Sequence, residues 1–173
     1  MRLKTLLTPV WMLVLTQALR GSVPAPSTTV ILIRHAERAS LFASDSPLSD
    51  QGRRRAAGLA YLLDRYHPMA LIASNRVRTQ QTLQPLSVRL HEPIRIWDAQ
   101  STDSLGQYLR TAYPGETVIV CWHHDHMAEL ARALGVRGKL PGWSLFTYDK
   151  IWTVTLEGDD KVAFHESREW GRP

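Results

Sequence analysis

Thr29-Val30-Ile31-Leu32-Ile33-Arg34-His35-Ala36-Glu37 is the stretch that decides the fold of this chain. Its continuous apolar run is typical of a strand that is buried on both faces of a parallel sheet. The strand delivers Arg34 and His35 to the edge of the sheet, where α/β proteins bind ligands. An arginine offers a planar fork of donors that fits two phosphate oxygens, and a neutral histidine nitrogen is a nucleophile near neutral pH. The stretch therefore predicts that this edge of the sheet can bind a phosphate group.

Further segments alternate between strand and helix patterns along the chain. Ser49 or Asp50 can cap a first helix, Ser74-Asn75 supplies caps for a second, and Pro114-Gly115 stops a third. Strands that alternate with helices predict a mostly parallel central sheet with helices on both faces, in one α/β domain. The predicted strands are 70–73, 118–122, 151–156 and 162–165, and the predicted helices contain 56–63, 78–79, 101–113 and 127–134.

Polar side chains stand where three of the predicted strands end. Arg34-His35 ends the first strand, and Ser74 ends the second, just before the helix that carries Arg78. His123-His124-Asp125 follows a later strand. Because the carboxyl ends of parallel strands share one edge of a sheet, and helix amino termini favour anions, we expect the three clusters to converge there.

Length, charge and cysteine usage exclude several classes of protein. The 173 residues suffice for one domain. The chain has a net charge of +5, and three of its positive charges, Arg2, Lys4 and Arg20, lie in a first segment without acidic residues. The rest of the chain is therefore nearly neutral, so its charge does not indicate a nucleic-acid-binding protein. The single Cys121 excludes an internal disulfide and a multi-cysteine zinc site.

The first 26 residues have the layout of a targeting segment. A basic start precedes an uncharged, largely apolar run from Thr5 to Leu19, and small residues follow at Gly21, Ser22 and Ala25. This run is shorter than a membrane-spanning helix needs. The pattern predicts a signal peptide or an N-terminal anchor at 1–26, a folded domain at 27–173, and an exported, periplasmic protein that contacts a membrane only through an uncleaved leader.

Three motifs taken together resemble the histidine phosphatase superfamily, which includes phosphoglycerate mutases, histidine acid phosphatases and small phosphohistidine phosphatases. The motifs are Ile33-Arg34-His35-Ala36-Glu37, Pro47-Leu48-Ser49-Asp50-Gln51-Gly52 and Ala73-Ser74-Asn75-Arg76-Val77-Arg78-Thr79-Gln80-Gln81-Thr82, followed by a strand with a Trp-His-His ending. The resemblance covers about residues 30–134. It implies a single three-layer domain, and the shortness of the chain implies a minimal cap and an open pocket, with loop 138–148 as its mobile wall.

The resemblance also implies a role for each matching residue. His35 corresponds to the nucleophile that forms a phosphohistidine, and Arg34 and Arg78 correspond to the arginines that clamp the phosphoryl oxygens. The family has a second site histidine, and two positions could correspond to it. Counting from the start of the strand favours His123, whereas the residue type of Trp122 favours His124. We prefer His124 as the catalytic histidine and assign His123 to phosphate binding.

The general acid is left open between two carboxylates. Glu37 and Asp125 both stand beside the predicted phosphate site in the sequence. Glu37 is the first candidate for the catalytic acid, although it could equally pair with Arg38 or Arg78 in a salt bridge. Asp125 is assigned to phosphate binding, and in the acid phosphatase branch an aspartate at this place protonates the leaving group.

Two rival interpretations remain at this stage. Cys121-Trp122-His123-His124-Asp125-His126 has the spacing of a metal-binding loop in a metal-dependent hydrolase. The chain could also be a non-catalytic relative that only binds phosphate. The favoured function is a phosphatase without metal or other cofactor, which acts on a phosphorylated small molecule, glycan or phosphoprotein. Trp143, Tyr148 and Trp152 are expected to pack between the last loop and its strand.

Overall fold

The computed structural model describes residues 26–158 and 161–168. The elements, in chain order, are β1 (Thr28–Arg34), α1 (Asp50–Asp64), β2 (Ala70–Ser74), α2 (Val77–Leu90), β3 (Ile94–Trp97), α3 (Thr102–Ala112), β4 (Thr117–Trp122), α4 (Met127–Ala133), β5 (Ile151–Leu156) and β6 (Val162–Ser167).

The six strands form one mixed sheet in the order β3-β2-β4-β1-β5-β6. β3, β2, β4 and β1 pair in parallel, and β5 and β6 add an antiparallel edge. The predicted single α/β domain with a mostly parallel sheet is therefore confirmed. The sequence patterns did not predict β3, because this short edge strand is partly exposed and contains Arg95, so it lacks a continuous apolar run.

Side chains alternate along the buried strands, so each face of the sheet carries its own core. Ile31, Ile33 and Cys121 pack with residues of α1 and α2 on one face. Leu32 and Trp122 pack with residues of α3 and α4 on the other face. The helices therefore cover both faces of the sheet, as predicted.

The helix starts fix two turns that lie near the carboxyl edge of the sheet. Ser49 caps α1, and its Oγ accepts a hydrogen bond from the backbone N of Gly52 at 3.1 Å. The N-cap of α2 is Arg76, which makes no side-chain cap bond, so the expected cap at Ser74-Asn75 was wrong. Instead, Asp45 Oδ1 accepts from the backbone N of Val77 at 3.0 Å, because the loop before α1 folds over the start of α2.

The predicted leader at 1–26 falls almost entirely on residues 1–25, which lie outside the described residues. Export and cleavage therefore stay predictions. Among the helices of the described ranges, none is both long and apolar enough to cross a membrane.

Two glycines occupy close contacts between elements. A Cβ at Gly52 would overlap the carbonyl oxygen of Glu37, and a Cβ at Gly106 would overlap the Cβ of Ala133 on α4. We expect Gly52→Ala and Gly106→Ala each to lower the free energy of unfolding by about 1–3 kcal/mol, because overpacked groups force the backbone apart. Urea denaturation followed by circular dichroism measures this change.

Gly142→Ala is the matched control, since a Cβ at Gly142 meets no atom within 4 Å. This variant should stay within about 0.5 kcal/mol of the parent chain. Equal stability of all three variants would show that the two contacts are looser than the structure has them.

Candidate active site

The register of the three central strands brings the predicted clusters together. Arg34 pairs with Trp122 across β1 and β4, and Ala73 pairs with Cys121 across β2 and β4. His35 therefore follows β1 at the level of His123, and Ser74, one residue earlier in the register, reaches His123 through its side chain at 2.8 Å. The backbone N of His35 donates to the carbonyl oxygen of Trp122 at 3.1 Å. The predicted convergence at one edge is confirmed.

A cavity of about 250 Å³ opens at this edge. Four arginines face it, and within the described part of the chain its lining includes one carboxylate, that of Asp125. An anion is the ligand that this charge pattern favours. The lining residues are Arg34, His35, Arg38, Arg76, Arg78, Ala99, Gln100, His123, His124, Asp125 and His126.

The buried ring of His35 has a defined tautomer. Its Nδ1 lies 2.8 Å from the carbonyl oxygen of Ala36, and because a carbonyl can only accept, Nδ1 carries the proton. Nε2 therefore keeps its lone pair. Burial, with smaller contributions from Arg34 and Arg78, lowers the pKa of His35 to about 2, although the bond to Ala36 opposes this shift. The His35 ring is therefore neutral throughout the physiological pH range.

His123 lies beside His35, with the two ring centroids 5.8 Å apart. Its Nδ1 is 3.2 Å from Arg78 Nη2, and because a guanidinium can only donate, Nδ1 is the acceptor. Its Nε2 then carries the proton and donates to Ser74 Oγ at 2.8 Å. Burial, and secondarily Arg78, lowers the pKa of His123 to about 3, so this ring is also neutral.

His124 occupies a less buried part of the same cavity. Its Nδ1 lies 3.8 Å from Asp125 Oδ1, and burial and Arg34 lower the pKa of its ring. The geometry therefore places His123, rather than His124, beside His35 and Ser74. The reason is the strand register, which carries His123 inward beside Ser74 and leaves His124 nearer to solvent.

The two predicted arginines are held by backbone groups of neighbouring loops. Arg34 Nη1 donates to the carbonyl oxygens of Ser144 and Thr147, both at 3.0 Å. The ring of Tyr148 lies under the Arg34 guanidinium, 4.1 Å from its carbon. On the opposite side, Arg78 Nη1 donates to the carbonyl oxygen of Ser44 at 3.3 Å.

Three of the arginines that line the cavity each have a buried guanidinium nitrogen without a partner among the described residues. These nitrogens are the Nε atoms of Arg34, Arg38 and Arg78. Buried polar atoms are hydrogen-bonded in the great majority of cases, because an unpaired donor loses its hydration without compensation. These N–H groups are therefore suited to donate to a bound anion.

The structure separates the two candidate acids. Both oxygens of Glu37 accept from Arg55 Nε at 2.9 Å, and Arg55 Nη2 adds a third bond at 2.6 Å. Glu37 is absent from the cavity lining, so the assignment of the acid to Glu37 does not fit its position, and its ion-pair partner is Arg55 rather than Arg38 or Arg78. Asp125 does line the cavity, with 62% of its side chain exposed.

The sequence reasoning missed three residues around the cavity. Arg38 follows the first motif directly, and Arg76 stands two residues before Arg78, so a search for extra cations beside each motif could have found both. Tyr148 stacks on Arg34 and lies 6.1 Å from the His35 ring, so its expected role as a packing residue was incomplete. Trp143 and Trp152 do pack together, at 5.4 Å between ring centroids.

The predicted metal loop does not have the geometry of a metal site. The Cys121 side chain lies buried in the core under α1 and α2, and burial raises the pKa of its thiol. In the described ranges, no group of three or more histidine, cysteine, aspartate or glutamate side chains is arranged to hold an ion. Cys121 is still within β4 and its thiol packs in the core, whereas His123, His124 and His126 follow the end of the strand and line the cavity, which does not include Cys121.

Comparison with known proteins supports the resemblance. Residues 30–108 match the family model of the histidine phosphatase superfamily (branch 1). The chain is 33% identical over 90 residues to the 8-oxo-(d)GTP phosphatase of Mycolicibacterium smegmatis. This match covers 46% of the chain and 28% of that relative, so the chain spans well under half of the relative's length.

Solved structures share the fold at low sequence identity. The protein histidine phosphatase SixA in complex with tungstate superposes with a TM-score of 0.60 and 21% identity, over 81% of this chain and 96% of that one. Mycobacterial glucosyl-3-phosphoglycerate phosphatase gives a TM-score of 0.62 and 14% identity, over 82% and 98%. The family resemblance and the fold are confirmed.

The neutral burial of His35 and His123 predicts a loss of stability in acid. Below about pH 6.5 the unfolded chain takes up protons on both histidines, whereas the folded chain resists protonation until about pH 2–3. The free energy of unfolding should therefore decrease as the pH is lowered, by up to about 1.4 kcal/mol per pH unit for each histidine. Urea denaturation at pH 7.5, 6.5 and 5.5 measures the slope.

His35→Gln removes one of the two groups and should flatten this slope. His165→Gln is the control, since His165 is exposed on β6 and should leave the slope unchanged. A parent chain of equal stability at pH 7.5 and 5.5 would contradict the neutral burial of both rings.

Proposed function

We infer that this chain, which matches the histidine phosphatase superfamily in sequence and in fold, is a metal-independent phosphatase that hydrolyses a phosphomonoester or a phosphohistidine through a covalent phosphohistidine at His35. One observation carries the inference. The unprotonated Nε2 of His35 belongs to a ring that faces a cavity with three unpartnered, buried guanidinium N–H groups.

In the first step, the Nε2 lone pair of His35 attacks the phosphorus atom in line with the leaving oxygen. A P–N bond forms while the P–O bond breaks, and the phosphoryl group passes through a state with charge spread over three equatorial oxygens. The hydrogen bond from Nδ1 to Ala36 holds the ring in one orientation during the attack. It also stabilises the positive charge that the ring gains on phosphorylation.

The arginines stabilise the transferring group by fixed positive charge. Arg34, Arg38 and Arg78 line the cavity, and the Nε–H of each has no partner among the described residues, so the three guanidiniums keep donors for the equatorial oxygens. His123 is held against Arg78, and a phosphoryl oxygen that bonds to Arg78 would also lie within reach of its ring. Charged donors that are fixed before the substrate binds need little reorganisation in the transition state.

We assign protonation of the leaving oxygen to Asp125, the carboxyl group in the described lining of the cavity. When protonated, it gives its proton to the oxygen as the P–O bond breaks. In the second step, a water molecule attacks the phosphorus, the P–N bond breaks, and the Asp125 carboxylate takes the proton from that water. Inorganic phosphate leaves, and the neutral His35 is restored.

Exposure of the acid favours hydrolysis over transfer between two substrates. Asp125 is 62% exposed, so water reaches the group that would activate it. A mutase must retain its phosphorylated intermediate and exclude water. The proteins that this chain resembles act on a nucleotide, a sugar phosphate and a protein histidine by their names, so a phosphorylated small molecule, glycan or phosphoprotein stays within the proposal.

Hydrolysis of 4-nitrophenyl phosphate tests the nucleophile. We expect the purified chain to release nitrophenolate equally with and without EDTA, and His35→Ala to lower kcat/KM by a factor of about 10³ or more, because the covalent route is lost. Trapping with ³²P-labelled substrate in an alkaline detergent quench should yield a base-stable, acid-labile phosphoprotein in the parent chain and none in His35→Ala.

His165→Ala is the matched control, because this histidine lies on β6 outside the cavity, and it should keep full activity. Activity that EDTA abolishes would replace the phosphohistidine route by a metal-dependent one. A folded chain that binds phosphate and hydrolyses nothing would establish the non-catalytic alternative.

A leaving-group series tests the acid. We expect Asp125→Asn to lower kcat/KM for an alkyl phosphate by about 10²-fold, because an alkoxide needs a proton as it departs. The same variant should barely change kcat/KM for 2,4-dinitrophenyl phosphate, whose phenolate leaves without help. Phosphate release measured on both substrates gives the comparison.

Glu37→Gln is the paired variant. Because Glu37 binds Arg55 outside the cavity, any loss of activity should be equal for the two substrates. A loss confined to the alkyl phosphate in Glu37→Gln, with Asp125→Asn unaffected, would return the acid to Glu37.

A further inference from the structure

We propose that the substrate of this site is a phosphate ester of an apolar alcohol, whose chain lies between two pairs of exposed apolar residues at the mouth of the cavity, Leu41-Phe42 and Leu145-Phe146. This proposal rests on the proposed phosphatase function and names its substrate class. We refer to the two pairs together as the apolar rim.

The apolar rim is unusual on this surface. Phe42 is 99% exposed and Phe146 is 77% exposed, while Leu41 and Leu145 are exposed to 57% and 58%. Other large exposed hydrophobic residues of the described chain stand singly in sequence, such as Tyr61 and Val88. Single exposed apolar residues need no explanation, but grouped ones mark contact sites.

Both pairs belong to the loops that hold the cavity arginines. Ser144 and Thr147, which bracket Leu145-Phe146, supply the two carbonyl oxygens that bind Arg34. Ser44, two residues after Phe42, supplies the carbonyl oxygen that binds Arg78. The next residue, Asp45, lies 3.7 Å from Arg78 and also caps α2.

The two loops that carry the apolar rim therefore contact the cavity through different arginines, Arg34 and Arg78, and the rim residues themselves lie outside the cavity lining. Tyr148, at the end of the second loop, is 6.1 Å from the His35 ring, and His123, bonded to Arg78, is 5.8 Å from it on the Arg78 side. An oxygen bound between Arg34 and Arg78 would carry its substituent outward between the two loops.

The size of the cavity requires such an outward path. Its volume of about 250 Å³ is below the roughly 300–1,000 Å³ of pockets that enclose a drug-sized ligand. The phosphoryl group fits among the arginines, and the remainder of a larger substrate must rest against the mouth. Two phenylalanines and two leucines there offer an apolar surface to that remainder.

The occupant we assign to the apolar rim is the substrate itself. The charge pattern selects the phosphoryl end, and the rim selects the other end of the same molecule. A sugar phosphate would place hydroxyl groups against these side chains without hydrogen-bond partners from them, whereas an alkyl or aryl chain would remove apolar surface of both partners from water.

A chain-length series tests the proposal. We expect kcat/KM for monoalkyl phosphates to rise from ethyl to octyl phosphate by about three- to fourfold for each methylene that is buried, at concentrations below micelle formation. Glycerol phosphate should be hydrolysed no better than ethyl phosphate. Phosphate release measures each rate.

The double variant Phe42→Ser/Phe146→Ser should lose at least tenfold in kcat/KM for octyl phosphate and keep its rate with ethyl phosphate. Tyr61→Ser/Val88→Ser is the control, with two exposed apolar residues on α1 and α2, and it should match the parent on both substrates. The ethyl phosphate rate reports the phosphatase function separately from the rim.

A flat chain-length series would overturn the proposal. So would a rim-dependent loss of binding to anionic lipid vesicles, or of dimers in gel filtration, without any preference for octyl phosphate, since a membrane or a second copy would then be the occupant. If no ester is hydrolysed, calorimetry that compares the binding of octyl and ethyl phosphate still tests the proposal. Tighter binding of octyl phosphate that is lost in the double variant would support the role of the apolar rim. Equal binding of the two esters would reject it.

Discussion

The parallel pairing of β4 with both β1 and β2 is the constraint on which the site depends. It sets the ends of three strands at one level, so that His35, Ser74 and His123 meet there, although they lie far apart in sequence. A shift of one residue in either register would turn the buried side chains to the opposite face and separate His35 from His123. The two apolar cores that flank the sheet stabilise this register, and they thereby keep His35, Ser74 and His123 together.

The same arrangement opposes stability. Two histidines are kept neutral by burial, and three buried guanidinium N–H groups lack partners within the described chain. Such groups cost free energy until an anion binds, so the folded core must offset them. Active sites commonly concentrate perturbed pKa values of this kind. In the proposed mechanism the lowered pKa of His35 is needed, because a protonated ring could not attack phosphorus.

The sequence was sufficient for five of the six strands of the sheet, all but β3, and for most of the site. Continuous apolar runs and ordered motifs predicted where Arg34, His35 and Arg78 would lie, since strand ends meet at one edge. The choice between His123 and His124, and the partner of Glu37, depended on side-chain direction. Neither residue type nor spacing encodes that direction, because it follows from strand register and from the long reach of Arg55. The contact of Tyr148 with Arg34 comes from a loop without a motif, and only the folded chain shows it.

The way the cavity holds its arginines explains how positive charge is kept for the substrate. Arg34 is oriented by two carbonyl oxygens and the face of Tyr148, none of which carries a formal negative charge. A carboxylate in their place would fix the guanidinium equally well but would neutralise the charge that a phosphoryl group needs. The carboxylate of Asp45 approaches Arg78, but its Oδ1 stays 3.7 Å from Arg78 Nη1. The same Oδ1 accepts a hydrogen bond from the backbone N of Val77 at the start of α2. Backbone carbonyls thus position Arg34 and Arg78 without neutralising them, which is what the proposed binding of a phosphoryl group requires.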